Sequence, residues 1–119
     1  MMMDYIAVEE ARIHCEYGST DSTFLDSPYY GCTIDDKNPI LENNLNIGDF
    51  VFCTLRKQAC VFKALDQTWR YPANFGTTEG HYITTKSLLF CKEGGMLSIV
   101  DAGQNSLGEV DGMLKIVDL

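Results

Sequence analysis

The sequence has little proline, a single tryptophan, few positive charges and no long apolar run. Three prolines in 119 residues are too few for a polyproline stretch, and neither low-complexity segments nor heptads occur. No run approaches the roughly 18 apolar residues that a membrane-spanning helix needs. Residues 1–10 lack the basic start and apolar core of a cleaved Sec signal peptide. The expectation is therefore synthesis in the cytosol, with any export by another route. Nine Lys and Arg stand against seventeen Asp and Glu, a net charge of −8. That balance argues against nucleic acid and against anionic membrane surfaces, because both would repel the chain. Neither Gly-x-x-x-x-Gly-Lys nor Gly-x-Gly-x-x-Gly occurs, which removes the common phosphate loops. Asp35, Asp36 and Asp66 lack calcium-loop spacing and read as solvated surface.

What is present suits one small globular domain. A chain of this length buries roughly two-thirds of its unfolded surface, and a hydrophobic fraction of 45% is ordinary for a folded protein. The most informative stretch is Ser87–Gln104. Two apolar runs, Ser87–Cys91 and Met96–Val100, flank Lys92-Glu93-Gly94-Gly95. Glycine reaches the positive φ that a short turn needs, so the pattern predicts a tight β-hairpin with Cys91 at its mouth. The same local theme, a thiol followed three residues later by glycine, occurs in Cys15-Glu16-Tyr17-Gly18.

Along the rest of the chain the signals are short strands divided by turns. Tyr5–Val8 and Arg12–Cys15 admit a helix on propensity. A hairpin is preferred, because Gly18 and Ser19–Ser22 cut the segment short. Thr23–Leu25 and Tyr29–Ile34 read as a second strand pair. Asp35–Pro39 is a strong turn signal, and Ile47–Cys53 returns to a β-rich composition. Leu55–Lys63 gives no firm pattern. Tyr82–Thr85 is another β-like run, Asn105–Asp111 a polar tail, and Met113–Val117 a candidate last strand. Trp69 with Tyr71, and likewise Tyr29-Tyr30, fit an aromatic core better than a binding platform. Together these features predict a mainly β fold of short strands and hairpins.

The soft ligands are five cysteines, Cys15, Cys32, Cys53, Cys60 and Cys91, with His14 and His81. An odd cysteine count in a reducing cytosol points to thiols or metal ligands before disulfides. Four thiolates, or three and a histidine, would hold Zn²⁺ tetrahedrally and staple a small β domain. No Cys-x-x-Cys knuckle supports this, and the other reading is free thiols packed as small hydrophobes. A nucleophilic pair of Cys91 or Cys53 with His81 would need a base in reach and an orienting group. Nothing in the spacing supplies either.

Several blocks resemble a known family. Ala11–Gly18 is similar to the Cys-x-Phe-Gly opening of PAAR-like proteins long labelled only as a domain of unknown function. Ile34–Ile40 with Asn46-Ile47 resembles the next block of that family. Phe52-Cys53, Cys60 and Trp69 resemble its middle, and Ser87–Gln104 resembles its closing signature. The segment between the middle cysteines, Thr54–Ala59, is shorter here than in the family.

The resemblance implies a small conical β domain over residues 1–104, with residues 105–119 as a C-terminal extension whose last strand packs on the same domain. It implies a structural protein, not an enzyme, that caps a trimeric β-helical, VgrG-like spike of a contractile injection system such as type VI secretion. Loading of effector proteins and transient membrane piercing belong to the same expectation. So does assembly in the bacterial cytoplasm followed by export at the tip of the apparatus. By position, Cys15, Cys53, Cys60 and Cys91 match the family's recurrent cysteines and are the expected ligands of one Zn²⁺. Cys32 does not match and is expected to be a buried thiol, while His14 or His81 remains able to replace one ligand. A small zinc- or thiol-based accessory module with redox or hydrolytic activity is the alternative from another functional class.

Overall fold

A computed structural model describes residues 3–117. Eleven short strands and no helix occur among them. In chain order they are β1 (Asp4–Tyr5), β2 (Arg12–Cys15), β3 (Ser22–Thr23), β4 (Phe52–Cys53), β5 (Gln58–Ala59) and β6 (Gly76–Thr77). There follow β7 (Gly80–His81), β8 (Leu88–Phe90), β9 (Met96–Asp101), β10 (Leu107–Val110) and β11 (Met113–Ile116). All pairings between them are antiparallel. The molecule is elongated, about 44 × 29 × 22 Å.

The central sheet runs β3-β2-β9-β8. The β8–β9 hairpin is the one expected from Ser87–Gln104, with Leu88 opposite Ser98 and Phe90 opposite Met96. Its loop turns at Gly94, whose φ of 113° explains the glycine there. In β2 and in the first half of β9, exposed or half-buried residues alternate with buried ones, the period-2 signature of a sheet with one face inward. The register sets Ile13 opposite Ile99 and Cys15 opposite Leu97 on that inward face.

Ile6, Ala7 and Val8 are completely buried. They do not pair with Arg12–Cys15 as a hairpin, contrary to the expectation. Their backbone instead threads between other segments. Ala7 N–H donates to the Ile83 carbonyl, Val8 N–H to that of Ala102, and Ile40 N–H to that of Ala7, each at 2.9 Å. A chain apolar on both faces gains more from neighbours on both sides than from one hairpin partner. Strand β2 pairs with β3 and β9 instead.

Tyr29–Ile34 forms no strand either. Residues 29–33 are exposed or half-buried and offer no apolar face to a neighbour. The turn after them is tight: Ile34 and Lys37 exchange two backbone hydrogen bonds, of 2.9 and 3.0 Å, across Asp35 and Asp36. Both aspartates have positive φ, as a two-residue turn of the primed kind requires. The aromatic expectation holds for Trp69, which is 1% exposed, packs on Phe24 with ring centroids 5.9 Å apart, and donates from Nε1 to the Asn44 carbonyl at 3.0 Å. It fails for Tyr29 and Tyr71, which are both largely exposed.

Beyond Gln104 the polar composition concealed a strand. Residues 107–110 form β10, which pairs with β1 and β11 in a three-stranded sheet. Glu109 there is nearly fully buried, paired with Lys86 and accepting from the Asn74 N–H at 3.0 Å. The expected division at Gln104 includes positions 1, 2, 118 and 119, which lie outside the described residues.

Candidate functional site

Four of the five cysteines stand at the ends of different strands. Cys15 ends β2, Cys53 ends β4, Cys60 follows β5 and Cys91 follows β8. Backbone hydrogen bonds bring these ends together. Thr54 N–H donates to the Tyr17 carbonyl at 2.8 Å, Ser19 N–H to Phe52 at 3.0 Å, and Cys60 N–H to Val51 at 2.9 Å. Cys91 is bridged to Ala64, and Gly18 to Cys53.

The result is a small, mostly apolar cavity of about 20 Å³, walled by all four thiol residues together with Tyr17, Phe50 and Phe62. Cys32 is elsewhere. Its side chain is exposed, with Sγ 3.2 Å from the Tyr82 hydroxyl, so the buried thiol expected there is an exposed one. The reason is local: Cys32 lies on the segment that found no strand partner.

Three of the cavity cysteines open tight turns. Gly18 N–H donates to the Cys15 carbonyl at 3.0 Å, Gly94 N–H to Cys91 at 2.9 Å, and Lys57 N–H to Cys53 at 2.8 Å. Such turns aim following amides back at the sulfur. Glu93 N–H reaches Cys91 Sγ at 3.4 Å, and the amides of Tyr17 and Gly18 face Cys15 Sγ. Burial still dominates at Cys15 and pushes its thiol above the usual range; the amides pull the other way, and nearby Cys91 and Cys60 add to the rise. Two glycines make room in the wall, Gly95 for this sulfur and Gly18 for Phe50. A Cβ on Gly95 would sit 2.9 Å from Cys15 Sγ, and one on Gly18 would sit 2.7 Å from Phe50 Cβ.

Does this arrangement suit a metal? The donor chemistry does: four thiols are a zinc set, and amides directed at sulfur favour the thiolate. The cavity volume suits one ion or one water. The side chains, however, do not close into a coordination sphere, since among the described residues no three Cys, His, Asp or Glu groups form a metal-holding cluster. Zinc would have to draw the sulfurs inward.

Neither histidine belongs to the cavity wall. His14 projects from the exposed face of β2 and contacts Asp21 Oδ1 at 2.8 Å. His81 contacts Glu42 Oε2 at 3.0 Å in a separate cleft with Thr77 and Glu79. The imagined pairs of Cys53 or Cys91 with His81 are therefore not assembled. Sequence reasoning passed over Arg56 and Glu93, which form an ion pair of 3.5 Å and line the cavity. Their separation in the chain hides the pairing; only the juxtaposition of the two loops produces it.

Fold and site together define an all-β domain whose turns gather four thiols around one cavity. The family model described as a domain of unknown function (DUF4280) matches residues 7–104, and the chain belongs to that family. No curated protein and no solved structure matches it.

Proposed function

We propose that the protein is a PAAR-like spike tip: a structural, non-enzymatic cap on a trimeric β-helical, VgrG-like spike of a contractile injection system. One observation carries the reading. The four cysteines that the resemblance singles out, and not the fifth, line a common cavity. A tip needs rigidity where little apolar core is available, and a metal cross-link supplies it. Here Cys15, Cys53, Cys60 and Cys91 would hold one Zn²⁺, whose chemistry would be purely structural. The separation of His81 from the thiols supports a role without catalysis. On this reading the chain is assembled in the bacterial cytoplasm, is exported at the apparatus tip, and also serves effector loading.

The deciding experiment is co-purification with a candidate spike trimer, read by native mass spectrometry. One chain per trimer is the expected mass. A chain that never binds a spike, yet shows thiol-dependent turnover, would establish the redox or hydrolytic accessory module instead. Metal content of protein purified without chelator tests the site separately. About one zinc per chain is expected, lost on single Cys→Ser substitution at positions 15, 53, 60 or 91 and retained in Cys32→Ser.

A further inference from the structure

Exposed apolar side chains gather in two places. On β11, Met113, Leu114 and Ile116 are exposed beside one acid, Asp111, and one cation, Lys115. Around the thiol cavity, Val51, Phe52, Leu55 and Val61 are 63%, 40%, 47% and 51% exposed. No residue from 51 to 61 is fully buried, so the β4–β5 hairpin lies at the surface, its Cys53, Arg56 and Cys60 turned to the cavity and its apolar side chains to solvent.

Charge separates the two patches. Residues 50–64 contain Arg56, Lys57 and Lys63 and no acid, and residues 91–95 add Lys92 and Glu93. These loops share one surface: Lys92 N–H donates to the Lys63 carbonyl at 2.8 Å, and the Leu55 side chain lies beside Gly94. Glu93 is taken up by Arg56. Lys57, Lys63 and Lys92 are exposed, and among the described residues none of them makes an ion pair. Four of the nine cations thus sit here; the acids beside them are Glu93, held by Arg56, Asp66, held by Arg70 in the cleft that Lys92 lines, and Glu16, which accepts the Met96 N–H.

We propose that this surface binds an anionic lipid bilayer, with Phe52, Leu55 and Val61 entering the interface and the three lysines meeting the headgroups. Apolar side chains ringed by lysine are the chemistry of interfacial anchoring. Exposed apolar side chains at a surface turn enter a fluid bilayer more readily than they fit a rigid, acidic protein face. Net charge alone argued the opposite. Its distribution reverses that argument: charges more than about 8 Å apart are largely screened at physiological salt, whereas the molecule is 44 Å long. The proposal does not depend on the spike reading, since a free accessory module with this surface would bind the same lipid.

The test is flotation of the full chain with vesicles of phosphatidylcholine alone or mixed with phosphatidylglycerol. Binding is expected only to the mixed vesicles and should fall as salt is raised. Each lysine contributes about fivefold near an anionic surface, so Lys57→Gln/Lys63→Gln/Lys92→Gln should weaken binding about a hundredfold. Phe52→Ser/Leu55→Ser should weaken it too, and Met113→Ser/Ile116→Ser should not. The substituted positions are exposed, and thermal unfolding checks that each variant remains folded. No flotation of the wild type, equal flotation with phosphatidylcholine alone, or an unaffected lysine variant would overturn the proposal. So would equally tight, lysine-dependent binding to soluble polyglutamate that ignores Phe52 and Leu55, because that would mark an acidic protein partner.

Discussion

Ile6-Ala7-Val8 and Val51-Phe52-Cys53 are apolar triplets of similar character with opposite fates. The first is wholly buried, whereas Val51 and Phe52 are 63% and 40% exposed. Composition does not separate them, and both have backbone partners on two sides; the cover over their side chains does. The first triplet has neighbouring segments on both sides, at Ile40, Ile83 and Ala102. The second pairs with the short return strand β5 and, through Phe52, with Ser19. One part of the molecule is therefore held by packing, while the other keeps its thiols half-buried in the cavity and presents apolar side chains to its surroundings.

The largest test of that contrast is a pair of truncations. Ile6→Ala removes a completely buried side chain from a cluster with Val8 and Ile34 and should cost about 2–5 kcal/mol in urea unfolding. Phe52→Ala, on the exposed hairpin, should cost well under about 1 kcal/mol. Equal losses would show that the hairpin is packed in solution and would abolish the contrast.

A second test probes the other charged region. Glu109 is 3% exposed while the Lys86 side chain beside it is 36% exposed. Burial pushes the Glu109 carboxyl up, but its bonds with Lys86 and the Asn74 amide together hold it below the usual 4.5. Because the folded pKa is depressed, the contribution of this carboxylate is present above pH 4.5 and is lost as pH falls through the folded value. Lys86→Met leaves the burial largely unopposed and should cost about 2 kcal/mol at neutral pH, less than a fully buried pair because the lysine is partly solvated. Protonation of Glu109 relieves that penalty, so the gap between variant and wild type should narrow as pH drops toward 4. A gap independent of pH would mean that Lys86 acts only through its stem.

The strands that could be read from the sequence are those whose local signals agree. Gly94-Gly95 between two apolar runs marked β8–β9, and Asp35–Pro39 marked its turn. The strand β10 was hidden because Gly108 and Glu109 read as loop; it forms only where β1 and β11 flank it, with Gly108 allowing the close approach of Asp4. The meeting of the four thiols was invisible in spacing, since each lies on a different strand end, and it was suggested by the resemblance instead. The exposed position of Cys32 was missed because a cysteine without a family match reads as a small buried hydrophobe, whereas its segment finds no strand partner to cover it.

The third test uses strain. Val51 has a φ of 66°, a region that a β-branched residue enters at a cost of roughly 1–2 kcal/mol. Val51→Gly removes that cost and incurs the smaller entropic cost of glycine. Stability should rise by up to about 1 kcal/mol, although an apolar side chain has been deleted. A comparable loss would show that the side chain packs, contrary to its exposure.

The smallest effect expected on stability separates the two kinds of cysteine. Cys32→Ala removes an exposed thiol whose sulfur contacts the Tyr82 hydroxyl, and stability should change by less than about 0.5 kcal/mol. Tyr82 itself should respond. Burial, and after it the hydrogen bond and charge of Cys32, raise its pKa to about 12. Without the thiol the tyrosine should titrate lower while remaining above 10, because the burial persists. Ultraviolet absorbance of the phenolate follows this directly, with wild type and variant compared over the alkaline range. Thiol labelling of the native chain completes the comparison: Cys32 should react first, ahead of the cysteines that line the cavity, and the fast phase should vanish in Cys32→Ala. If the fast phase persists there, a cavity thiol is the accessible one, and the distinction between four gathered cysteines and one solitary surface cysteine fails.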